Sequence, residues 1–105
     1  MSESQREETA VGPVLQATPF GQAVVAAIQA ENDDVVVRDE GAYIRVHTPS
    51  VCRLTKAEVE AQLGDVVRFP GDLEVVMASF SGLIEMTETG ATWWSASEPK
   101  PKALG

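Results

Sequence analysis

One cysteine and one histidine among 105 residues leave this chain few groups for chemistry. A lone Cys52 excludes an internal disulfide, and no second thiol lies near it for a C-x-x-C metal or redox pair. It reads as an inert structural cysteine and fits a reducing cytosol. His47 has Ser50 and Cys52 close by, but no motif that would orient it as a base or build an oxyanion hole. It reads as a surface or strand-end histidine. H-x-x-x-H and E-x-x-H spacings are missing, and the pairs Asp33-Asp34 and Asp39-Glu40 lack the ligand pattern of a calcium loop. The eight glycines are scattered, which excludes a phosphate-cradling loop.

Basic charge is also scarce. Eight Lys and Arg stand against 16 Asp and Glu, a formal net charge of −8. That balance argues against nucleic acid and anionic membrane as partners, both of which need a basic face. No apolar run approaches the ~18 residues needed to cross a bilayer. The start, Met1-Ser2-Glu3-Ser4-Gln5-Arg6-Glu7-Glu8, is polar and acidic and does not read as a secretory signal. The expected location is therefore the cytoplasm.

What remains fits one globular domain, with 44% hydrophobic and 23% charged residues. Residues 1–10 are polar and aperiodic, an expected disordered tail, and 97–105 carry two prolines, an expected flexible tail. The folded body is expected over 11–96.

Residues 11–17 predict a strand opened by Gly12-Pro13. Thr18 then caps a helix with Pro19 at its first position, and Phe20, Val24, Ala27 and Ile28 recur at helical spacing to about residue 30. Asn32-Asp33-Asp34 ends it. Residues 35–38 and 42–46 predict a hairpin around Asp39-Glu40-Gly41, with Tyr43 and Arg45 on one face and Ile44 and Val46 on the other. Thr48-Pro49-Ser50 breaks the second strand. Thr55 and Glu58 have capping-box spacing, Leu54 and Val59 can staple that start, and Gly64 is a ready C-terminal cap for a helix of about nine residues. Strands follow over 73–77, 83–87 and 92–95. The order is β-α-β-β-(β)-α-β-β-β, an α+β domain with mostly antiparallel pairing.

One segment stands apart. Leu73-Glu74-Val75-Val76-Met77-Ala78-Ser79-Phe80-Ser81-Gly82-Leu83-Ile84-Glu85 turns from apolar to small and hydroxyl residues and back. A buried strand does not normally carry Ala-Ser-Phe-Ser-Gly in its middle; small residues there admit another backbone or a partner surface. Trp93-Trp94 is the other unusual pair. Alternation in a strand sends the two rings to opposite faces, one to the core and the other either locally covered or free to touch a partner.

Four stretches in order carry a family resemblance: residues 11–17, the hairpin 39–46, the helix 54–64, and 73–84. Together, over about 11–94, the chain resembles the coupling or effector (regulatory) proteins of soluble bacterial diiron monooxygenases, the cofactor-free components of methane, phenol, toluene and alkene systems. Its Ala-Ser-Phe-Ser-Gly form is closer to the toluene and alkene type. The toluene-type pattern has Asn where Val76 stands, so any polar contact made by that amide must be made differently here.

The resemblance implies two small sheets with two or three helices. It implies no catalytic residue, no cofactor and no metal of its own. It implies a monomer when free whose partner is a diiron hydroxylase. The partner-binding residues it implies are Val76, Met77, Ala78, Ser79, Phe80, Ser81 and Gly82, with Phe80 as anchor. Docking would tune oxygen activation, substrate access and the coupling of electron use to hydrocarbon hydroxylation or epoxidation. Two other readings stay open on the residues alone: a generic adaptor for another complex, and a small ligand-binding or lyase-like domain using Glu74 and Glu85 as an acid pair.

Overall fold

A computed structural model describes residues 10–101 of the chain. Most of the two expected tails, 1–9 and 102–105, lies outside the described residues; Ala10 already belongs to the first strand. That strand, β1 (Ala10–Gln16), leads into helix α1 (Pro19–Glu31), which starts as the sequence predicts. Thr18 is extended, and its Oγ1 accepts a hydrogen bond from the Gly21 N–H at 3.0 Å. Val24, Ala27 and Ile28 are fully buried, the stripe expected from their spacing.

The end of α1 is tied to a distant strand. Asn32 donates from Nδ2 to the Arg53 carbonyl at 2.7 Å and accepts from the Arg53 N–H at 2.9 Å. Next to it, the Glu31 carboxylate accepts from both the N–H and the hydroxyl of Thr55, each at 2.8 Å. This corrects the capping box expected at Thr55. Thr55 Oγ1 does accept from the Glu58 N–H at 3.2 Å, but the Thr55 N–H is taken by Glu31 from α1 rather than by Glu58. Helix α2 (Lys56–Leu63) is thus started by a long-range contact as well as a local one, and it ends at Gly64 with φ 77° as expected.

Strands β2 (Val36–Asp39) and β3 (Tyr43–Pro49) form the expected hairpin, with Gly41 at φ 85° and its N–H donating to Asp39 Oδ1 at 2.9 Å. Thr48-Pro49-Ser50 does not end extended structure. It turns a corner into β4 (Val51–Thr55), with Ser50 at φ 63°.

The largest departure follows. Residues 73–77 are not a strand: Gly71–Val76 is a third helix, α3, and the strand β5 (Met77–Ser81) begins only after it. Leu73 and Val76, three apart, are buried while Val75 between them is 79% exposed, which is helical and not alternating spacing. β6 (Leu83–Met86) and β7 (Gly90–Trp94) complete the chain.

The strands form two antiparallel sheets, ordered β2-β3-β1-β5 and β4-β7-β6. Two long strands run through both sheets and bend between them, β3 into β4 at Ser50 and β5 into β6 at Gly82, where φ is 94°. Within the first sheet β1 lies between the two bent strands, and within the second β7 does. Trp94 closes β7 against both corners, pairing with Val51 on one side and Leu83 on the other. The core gathers Leu15, Ile28, Val46, Leu54, Leu73 and Trp93, all buried to 0% exposure. Both tryptophans are covered, Trp94 at 8%, so neither ring is an open partner contact.

Candidate docking surface

The segment singled out in the sequence divides at its two ends. Val76, the last residue of α3, is only 4% exposed and packs near Gly21 of α1. Its side chain is core, so it offers no surface contact and an amide contact from this position has no place in this chain. At the other end Gly82 is the corner between sheets. A Cβ there would sit 2.6 Å from the Trp94 carbonyl oxygen and 2.7 Å from Val11 Cγ1. The close backbone approach expected from this glycine is made within the chain.

Between them lies β5, an edge strand with no neighbour on its outer side among the described residues. Ala78, Ser79, Phe80 and Ser81 are all exposed and Met77 is half-buried. The composition that a buried strand would avoid thus sits on an exposed edge. On an edge, small hydroxyl residues are tolerated because one side has no partner to pack. β5 pairs with β1 through Val14–Ser79 and then Leu15–Met77, which leaves Ala78 as an extra residue, a bulge.

Pairing sets the side-chain directions, because directly opposed residues share a face. Phe80 lies opposite the buried Pro13 and so faces the core side, yet at the sheet margin it keeps 42% of its surface exposed. Leu83, just past the corner, is 47% exposed, and Val75, just before the strand, 79%. Ser79 and Ser81 lie opposite Val14 and Gly12 and face the other way.

That opposite face is the outer face of the four-stranded sheet. Val14 is also paired with Arg45, Arg45 with Arg38, and His47 with Val36. Arg38, Arg45 and His47 therefore converge with Ser81 around a shallow concavity of about 650 Å³. Glu40 on its rim bonds Arg45 at 3.2 Å. Burial, with the Arg45 and Arg38 guanidiniums beside it, holds His47 below the usual imidazole range. This convergence was missed from sequence, although a signal existed: Arg45 and His47 alternate on one strand, and the hairpin turn brings Arg38 across from Arg45.

The remaining candidates have quieter surroundings. Burial pushes the Cys52 thiol up to about 12, so it is neither nucleophile nor ligand at neutral pH. Glu74 is exposed on α3, and Glu85 forms an ion pair with Lys100; neither lines the concavity. Among the described residues, no group of three or more His, Cys, Asp or Glu could hold a metal ion, and no helix is long and apolar enough to cross a membrane.

The model of the MmoB/DmpM family matches residues 9–94. The effector subunit of the alkene monooxygenase system of Xanthobacter autotrophicus (strain ATCC BAA-1158 / Py2) is 36% identical over 93 residues, covering 87% of this chain and 91% of that protein. Among solved structures, one chain of a phenol hydroxylase–regulatory protein complex superposes with a TM-score of 0.70 at 15% identity, over 82% of this chain and 95% of that one. At that identity the last match speaks for the fold.

Proposed function

The chain belongs to the MmoB/DmpM family, the effector proteins of diiron monooxygenases, and on that premise we propose that it docks on the diiron hydroxylase of an alkene- or aromatic-oxidising system and tunes its reaction. The observation that carries this reading is the 36% identity, over nearly the whole chain, with an alkene monooxygenase effector subunit. Such a protein needs no catalytic side chain. It needs a surface whose affinity differs between two states of its partner, because a ligand shifts an equilibrium only by that difference. A difference of about 1–3 kcal/mol changes the favoured population roughly 5–150-fold. Oxygen activation, substrate access and the coupling of electrons to product are the steps open to such a shift. The effector works in the cytoplasm, as a monomer when free.

The contact is proposed along β5, at Ala78, Ser79, Phe80 and Ser81, with Met77 behind them and Gly82 fixing the strand's exit. The exposed Phe80 ring is the natural anchor; covering its remaining surface is worth about 2 kcal/mol. Small residues on either side leave room for a partner to approach the strand closely.

The test is steady-state oxygenation by the matching hydroxylase and its electron-transfer proteins, with and without this chain. Saturable stimulation with an optimum near one copy per active site is expected. No stimulation, together with no complex by sedimentation or calorimetry, would overturn the reading and leave a generic adaptor.

A further inference from the structure

We propose that the outer face of the four-stranded sheet is a second docking surface, contiguous with β5, which receives an acidic segment of the hydroxylase at Arg38 and Arg45. The inference rests on the effector reading above and adds to it a place and a charge.

Three observations support it. The first is geometry. Register puts Arg38, Arg45, Val14 and Ser79 in one row across β2, β3, β1 and β5, with His47, Gly12 and Ser81 grouped beside it. A surface that seats the serines of β5 on this side therefore comes up against the arginines. Gly12, opposite Ser81, lets β1 lie so close to β3 that a Cβ built there would overlap the Val46 carbonyl. The concavity on this face is lined by Ser81 and His47 and by Arg38 and Arg45 with Asp39 and Glu40.

The second is charge. In a chain of net charge −8, two of the eight Lys and Arg side chains meet here. Both rim carboxylates are engaged locally, Glu40 with Arg45 and Asp39 with the Gly41 N–H. Arg38 is exposed and makes no ion pair among the described residues. Burial, with the two guanidiniums beside it, favours the neutral form of the nearby His47. An exposed guanidinium without an ion-pair partner among the described residues favours a carboxylate from a docking protein. The third is exposure: Tyr43, Arg45, Ser79 and Ser81 are all exposed, so no element among the described residues covers this face.

Arg38→Glu tests the assignment, with Lys56→Glu on α2 as a control of equal charge change and Arg38→Lys as the conservative variant. Affinity for the hydroxylase is measured by titration at several salt concentrations, after circular dichroism has confirmed the fold. Arg38→Glu is expected to raise Kd about tenfold or more at low salt and to flatten its salt dependence, since charge pairs across an interface act in this way. Arg38→Lys stays within about threefold and Lys56→Glu near wild type. An Arg38→Glu protein that stimulates the hydroxylase, with wild-type or tighter affinity and an unchanged salt slope, overturns this inference while the effector reading stands. Absence of binding by the wild-type chain would instead remove the effector reading itself.

Discussion

Phe80 and Gly82 lie two residues apart and differ in size for opposite reasons. Gly82 turns β5 from one sheet into the other, under the Trp94 carbonyl and against Val11, at φ 94°. No side chain fits there, and the reason is wholly internal. Phe80 stands on an unpaired edge and leaves 42% of its surface open, while Phe69, Trp93 and Trp94 are buried in the core. The open edge of the sheet leaves that ring uncovered, and the proposed docking contact would cover it. A small-residue segment is therefore not one feature. One end is held by packing within the chain, and the stretch before it is left open by the sheet's edge.

The comparison breaks most visibly at the corner. Gly82→Val is expected to cost about 3 kcal/mol or more, from left-handed strain together with the overlap on Trp94 and Val11. Urea unfolding reads it directly. A Gly82→Val protein as stable as wild type would mean the corner is not set by this contact. For the same reason Gly82 substitutions cannot probe docking: they perturb the scaffold first.

Phe80→Ala reverses the pattern. It should change unfolding free energy by less than about 1 kcal/mol, yet weaken hydroxylase binding by roughly 2 kcal/mol, near thirtyfold. A large stability loss with unchanged affinity would move Phe80 into the core group with Val76.

Cys52 sharpens the contrast on the buried side. Its folded value of about 12 lies above the ordinary 9.0, so the unfolded chain loses its thiol proton first. The associated stability is intact below pH 9 and is lost as pH rises through 9 toward 12. By pH 10 the loss is about 1.4 kcal/mol. The difference between wild type and Cys52→Ala, measured from pH 8 to 10.5, should shrink accordingly, and native Cys52 should resist thiol reagents at pH 8.

His47, on the open face, gives the smallest effect and the opposite sign. Its folded value lies below the ordinary 6.5, so the unfolded chain takes up the proton first. Stability present above pH 6.5 is lost as pH falls below it, and His47→Gln should remove that component of the acid limb in parallel thermal melts.

Much of this was legible beforehand, and what was not has identifiable causes. Thr18-Pro19, the Thr55 hydroxyl and Gly64 are local signals that mark helix ends where they stand, whereas the Glu58 half of the capping box and the break at Thr48-Pro49-Ser50 give way to long-range pairing. Helix α3 reads as a strand because the β-branched Val75 and Val76 favour strands by type, and six residues are too few for periodicity to outweigh them. The Glu31 bond to Thr55 spans 24 residues, and the Trp94 carbonyl lies 12 residues beyond Gly82; neither distance is written in local pattern. The open stretch 78–81 was found because its composition is wrong for a central strand. Val76 joins it only through the family resemblance, and a helix end turns that side chain inward.

The most direct test of the division between edge and corner is a titration of hydroxylase turnover with wild type and Phe80→Ala, both shown to be folded. The expected result is saturable stimulation by each, with Phe80→Ala needing at least about tenfold more protein to reach half-maximum. Superimposable titrations would contradict it, and would place the docking contact somewhere other than the exposed edge of β5.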